Sequence, residues 1–145
     1  MYKDFDKWNE IKKSTNSSNR KVYFKERDIF YIKIGENIGF EQSGKGDMFL
    51  RPVVVLKKFN NNFFMGVPIT TTIKKGIYYF EFKFTNKKSN AILSQMKSFD
   101  IKRIKHKIGM ISERNFIKLK SKITNLYGNM LASPKGEDDP EGICK

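Results

Sequence analysis

The chain has 145 residues and a mass of 17.0 kDa, enough for one domain around a single core. Hydrophobic residues make up 39% and aromatics 14%, which excludes a globally disordered chain, and no run of about 18 apolar residues is present to cross a membrane. Lys and Arg total 29 against 15 Asp and Glu, a formal charge of +14, which calls for an acidic partner (RNA, DNA or an acidic protein) unless it only solvates the surface.

In chain order, residues 1–8 are charged throughout and lack the apolar segment of a secretion signal, so a cytoplasmic protein is expected. Phe5, Trp8 and Ile11 fall three apart and predict one stripe of a short helix over residues 4–13, with Asp4 or Asp6 as its cap. The polar residues 14–19 read as a linker, which makes residues 1–20 an N-terminal extension. Residues 28–34 are β-branched and aromatic and predict a strand. Gly35, Gly39, Gly44 and Gly46 mark residues 35–47 as a long loop.

A second strand is predicted over residues 50–56, with Pro52 at its start or at a bulge because proline cannot donate to a ladder. Asn60-Asn61-Asn62 is a hairpin turn signal before a third strand over residues 63–70. Lys74-Lys75-Gly76 turns the chain into a fourth strand at 77–85, and residues 86–90 turn it into a fifth at 91–95. A last strand is expected at 108–111. Ser112 then opens a helix whose apolar positions are Phe116, Leu119, Ile123, Leu126, Met130 and Leu131. Residues 132–145 carry four acids, two prolines and two glycines and read as a flexible acidic tail. Consecutive strands with tight turns and no intervening helices predict a mainly β fold over residues 21–131, an antiparallel meander closing into a small barrel.

The chemistry open to these residues is narrow. His106 stands between Lys105 and Lys107 and reads as a surface residue. Cys144 has no base beside it in sequence, and the carboxylates lack the spacing of a magnesium site. Hydrolysis by a metal, a thiol or a Ser-His pair is therefore poorly supported. The polar residues at strand ends remain: Glu41, Gln42 and Lys45 in the glycine-rich loop, Arg51 before an apolar strand, Thr70 and Thr71 after the third strand, and Ser94, Gln95 and Lys97 after the fifth. Taken singly, each favours a bland reading, Arg51 as a surface salt bridge and the threonines as ordinary β-formers.

In combination they resemble a family. Asp28-Ile29-Phe30, Gly39-Phe40-Glu41-Gln42, Arg51-Pro52-Val53-Val54-Val55-Leu56, Val67-Pro68-Ile69-Thr70-Thr71 and Leu93-Ser94-Gln95-Met96-Lys97-Ser98-Phe99-Asp100, followed by Arg103 and Ile108-Gly109, look like the MazF/PemK toxins of bacterial type II toxin–antitoxin systems. The resemblance implies an SH3-like antiparallel barrel of the CcdB/PemK type with a C-terminal helix, here joined by a short N-terminal helix. It implies a ribosome-independent endoribonuclease that cuts single-stranded RNA without metal or other cofactor. The 2′-hydroxyl attacks, leaving a 2′,3′-cyclic phosphate and a 5′-hydroxyl. It further implies a homodimer, to which the helix face from Phe116 to Leu131 is a candidate contributor, and an acidic antitoxin that blocks the RNA groove.

By the same resemblance the catalytic candidates are Arg51, Thr70 and Glu41. Arg51 would neutralise charge on the scissile phosphate, Thr70 would position an oxygen, and Glu41 is the nearby candidate base. Gln42, Lys45, Thr71, Ser94, Gln95 and Lys97 are the candidate RNA contacts, with Gln95 placed to hold either a base or the loop backbone. The competing expectations are a barrel that binds nucleic acid or protein without cutting, and a CcdB-type toxin that poisons gyrase.

Overall fold

A computed structural model describes residues 2–131; the tail expected from residue 132 lies outside the described residues. Helix α1 (Phe5–Asn16) starts where the Asp4 carboxylate accepts the Lys7 amide at 3.0 Å. It runs through part of the segment read as a linker. Thr15 is buried there and takes a hydrogen bond from Lys33 Nζ, so a tertiary contact outweighs weak helix propensity.

Seven strands follow: β1 (Asp28–Lys33), β2 (Leu50–Asn60), β3 (Phe63–Thr70), β4 (Tyr79–Phe84), β5 (Lys87–Ile92), β6 (Lys97–Asp100) and β7 (Ile104–Met110). They form one antiparallel sheet in the order β4-β5-β3-β2-β1-β7, with β6 paired to β3. Helix α2 (Glu113–Leu131) is capped by Ser112, whose hydroxyl accepts the Asn115 amide at 3.1 Å. Neither helix is long and apolar enough to cross a membrane.

The expected strand at 91–95 is corrected. Residues Lys87–Ile92 are the strand, and Leu93–Gln95 form a 3-10 turn. The β4–β5 hairpin turns on Thr85 and Asn86, both at positive φ (52° and 62°), the conformation whose twist suits a two-residue connection. Lys87, Lys88, Ser89 and Asn90 have little strand character of their own. Pairing along β4 makes them a strand and buries Ser89 and Asn90. β2 likewise runs past Leu56 to Asn60 because β3 pairs with it as far as Phe63. β6 was not visible in the sequence, and β7 begins four residues before the strand expected at 108–111.

Alternation across β2 sorts the core. Val53 and Val55 point to one side, with Phe30, Ile32, Phe64 and Phe99. Val54 points to the other, with Ile29, Val67, Ile69 and Leu93, and α2 covers this side with Phe116 and Leu119. Ile123 and Leu126 continue that seam. Phe116 to Leu126 of the helix face expected at a dimer contact thus serve this chain's own core, and among the described side chains of α2 Ile117 and Met130 are the exposed large apolar ones.

The sheet is not closed by hydrogen bonds, because β4 and β7 share no ladder. Phe84 of β4 instead lies on Gly109 of β7: a Cβ at Gly109 would stand 2.8 Å from the ring, and φ there is +155°. Strain and clash act together at this position. Gly109→Ala is expected to cost about 1–3 kcal/mol in urea unfolding; an unchanged midpoint would show that the seam yields freely.

Candidate functional site

The glycine-rich segment is folded tightly onto itself. Gly44 N donates to Gly35 O at 2.8 Å, and Lys45 and Leu50 exchange backbone bonds at 2.8 and 3.0 Å. The Asn37 side-chain amide reaches Ile34 O and Gln42 O, and its backbone amide reaches Ser43 Oγ at 2.9 Å. At Gly44 a Cβ would lie 1.9 Å from Phe49 O, so the two arms of the loop meet only because this residue has no side chain.

Arg51 leaves β2 beside this loop and is 8% exposed. Its Nε donates to Ser43 O at 2.8 Å and its Nη1 to Ile69 O at 3.4 Å. Burial lowers its pKa from the ordinary arginine value. Among the described residues it meets no carboxylate. It lines a cleft of about 520 Å³ with Lys45, Thr70 and Thr71, together with Tyr31, Lys87 and Ser89. The Thr70 hydroxyl oxygen accepts the Thr72 amide at 3.2 Å, which keeps its own proton free to donate.

The other five sequence candidates sit apart. Glu41, Gln42, Ser94, Gln95 and Lys97 line a separate hollow of about 230 Å³ with Asn37. Gln95 fastens the loop from this side: its Oε1 accepts Gln42 N and its Nε2 donates to Phe40 O, both at 3.1 Å. Glu41 is exposed and turns back on the loop, accepting Ile38 N at 3.2 Å. The Lys97 ammonium lies 5.3 Å from the Phe99 ring centre. Burial and then Arg103 lower its pKa, and Glu41 partly offsets them.

The loop at Gln42 and Ser43 thus stands between a basic cleft and a hollow in which Lys97 is balanced by Glu41. Gln95 holds one side of it and Arg51 holds the other. Sequence reasoning missed Lys87 and Ser89 in the larger cleft, since both lie on the part of β5 that read as a turn. Among the described residues no three His, Cys, Asp or Glu side chains converge.

A family model described as PemK-like, MazF-like toxin of type II toxin-antitoxin system matches residues 25–127. The chain belongs to this family. No curated protein matches it in sequence. Solved structures share its fold at low identity. MazF (Form-I) from Deinococcus radiodurans aligns with a TM-score of 0.60 at 18% identity, over 74% of this chain and 99% of that one. The Mycobacterium tuberculosis toxin MazF-mt6 gives 0.53 at 16%, over 70% and 97%. An endoribonuclease solved with its cognate antitoxin from a mycobacterial species gives 0.56 at 9%, over 77% and 100%. The MazF-like match covers the cleft and the loop of this toxin, whereas α1 precedes it.

The lowered Lys97 pKa has a definite sign. The folded chain holds this proton less firmly than the unfolded one, so stability rises with pH as it approaches the ordinary lysine value of 10.5. Lys97→Met is expected to flatten that rise, read from urea midpoints between about pH 8 and 10. An identical slope in the variant would exclude Lys97 as the group responsible.

Proposed function

We propose that this toxin is a ribosome-independent endoribonuclease that cuts single-stranded RNA in the Arg51 cleft, without metal, and that an acidic antitoxin restrains it. One observation carries the reading: a buried guanidinium with no carboxylate partner among the described residues faces a cleft that also holds Thr70. Two of its five N–H groups are spent on Ser43 O and Ile69 O, which fixes the fork and leaves three for an anion.

RNA supplies its own nucleophile. The 2′-oxygen bonds to phosphorus, the bond from phosphorus to the 5′-oxygen breaks, a proton leaves the 2′-hydroxyl and one arrives on the 5′-oxygen. The products are a 2′,3′-cyclic phosphate and a 5′-hydroxyl. Charge builds on the non-bridging oxygens in the transition state, and a preorganised Arg51 stabilises it there. Thr70 donates to one of these oxygens. Lys45 and Thr71, with Lys87, hold the flanking backbone in the same cleft.

Glu41 acts as a base only after its carboxylate leaves Ile38 N and crosses the loop. Gln42, Ser94, Gln95 and Lys97 offer a neighbouring nucleotide a second resting place. The working assembly is a cytoplasmic homodimer of the 21–131 unit. A lone 17.0 kDa species in sedimentation would overturn the dimer.

The test is cleavage of a long single-stranded RNA in EDTA. Wild-type protein is expected to cut it, and Arg51→Ala to lose about 10²–10³ in rate, as for loss of one preorganised donor. A substrate carrying 2′-deoxyribose at the cut position stays intact. Cleavage by Arg51→Ala at the wild-type rate would end this assignment; intact RNA with salt-sensitive binding would leave only a binding module.

A further inference from the structure

We propose that helix α1 is a working part of the Arg51 site, with Trp8 as a positioning residue that orders the loop against which the guanidinium is set. The proposal rests on the nuclease reading for its catalytic consequence and on geometry alone for the ordering.

The geometry is dense. Trp8 is 8% exposed, and its ring covers Gly35 so closely that a Cβ there would lie 2.6 Å from it. The same ring meets Phe49 edge-on, with centroids 5.6 Å apart. Gly35 and Phe49 are the two ends of the loop, and Phe49 O accepts both Ile34 N at 3.0 Å and Gly35 N at 3.3 Å. Trp8 therefore packs across the neck of the loop, two residues before Arg51. Behind it the Arg103 guanidinium carbon lies 5.9 Å from the ring centre while Nη1 binds Lys33 O and Ile34 O.

Two lysines of this extension reach the loop itself. Lys3 Nζ donates to Asn37 O and to Gly39 O, the latter at 2.9 Å. Lys7 Nζ pairs with Asp47 at 2.7 Å. The far end of α1 is tied down by Lys33 on Thr15 and by Lys102 on Asn16 O at 3.0 Å. Ser43, whose carbonyl fixes Arg51 Nε, lies inside the segment so held. An untethered loop would leave that carbonyl, and with it the fork, free to wander. Misplacement by about 1 Å is enough to cost a reaction up to roughly 10²-fold.

The test uses the full chain and two readouts. Trp8→Ala is expected to speed amide hydrogen exchange across residues 36–47 while the β3 core keeps its protection, and to lower kcat about tenfold with KM nearly unchanged. Trp8→Phe, which keeps a ring over Gly35, is expected to recover most of both. Lys3→Ala with Lys7→Ala removes only exposed and half-buried contacts and leaves the core in place, so it folds even if Trp8→Ala does not, and it must show the same loop-specific acceleration.

Four outcomes would overturn the proposal: unchanged exchange in the loop, acceleration spread equally through the core, a loss confined to KM, or no recovery in Trp8→Phe. If the wild type cuts no RNA, the nuclease reading falls by itself, and the exchange data alone decide whether α1 orders the loop.

Discussion

The structure turns on an arginine that is buried with no acid beside it among the described residues. Removing a guanidinium from water is costly unless its donors are met. Here two backbone carbonyls meet part of that demand, and the open side of the cleft leaves the rest to solvent or to a bound anion. A carboxylate in the same place would stabilise the charge better and would also quench it. The fold instead sets Arg51 between Ser43 O on a loop and Ile69 O on β3, so its direction is fixed by main chain while its charge stays available.

This arrangement transfers the difficulty to the loop. A carbonyl is only as well placed as the backbone carrying it, and a glycine-rich segment is the least constrained backbone the chain has. The constraint is rebuilt from several directions. Gln95 grips one side, the Gly44–Phe49 approach closes the neck, and α1 covers the outside with Trp8 and the lysines Lys3 and Lys7. The loop thereby separates the two hollows, so the candidate residues read from one stretch of sequence divide between two surfaces. Glu41 and Arg51 belong to opposite sides of one wall.

That division explains what the sequence could and could not disclose. β1 and β3 were legible to within a residue because β-branched and aromatic composition and turn signals agree there. α1 was legible from three apolar residues and an aspartate, and its last turn was hidden because Thr15 is ordered by a distant lysine. β5 was misplaced because Lys87 to Asn90 become a strand only by pairing with β4, and Lys87 and Ser89 were lost from the cleft with it. Arg51 and Thr70 could be named by resemblance, and neighbouring strand ends do bring them to one cleft. The role of Ser43 as a fastener could not be read, since it depends on a carbonyl direction that no side-chain pattern records.

The charge balance links the site to its surroundings. Among the described residues four ion pairs are formed, and only the pair of Asp28 with Lys107 involves a buried acid. Pairing removes one charge of each sign, so the +14 surplus is untouched by it and faces itself or water. The repulsion is local as well as global. After burial, Lys105 and Arg20 lower the pKa of Lys33, and Arg103 lowers that of Lys97. Lys45, Arg51 and Lys87 line the larger cleft with no carboxylate among its described lining, so a polyanion entering it relieves repulsion as it binds, and part of its affinity is stored in the free protein. On the proposed reading, RNA and an acidic antitoxin draw on the same store. An antitoxin then need not touch Arg51 to silence it: by neutralising the lysines around the cleft it removes the field that would bring a phosphate to the one guanidinium held in place to receive it.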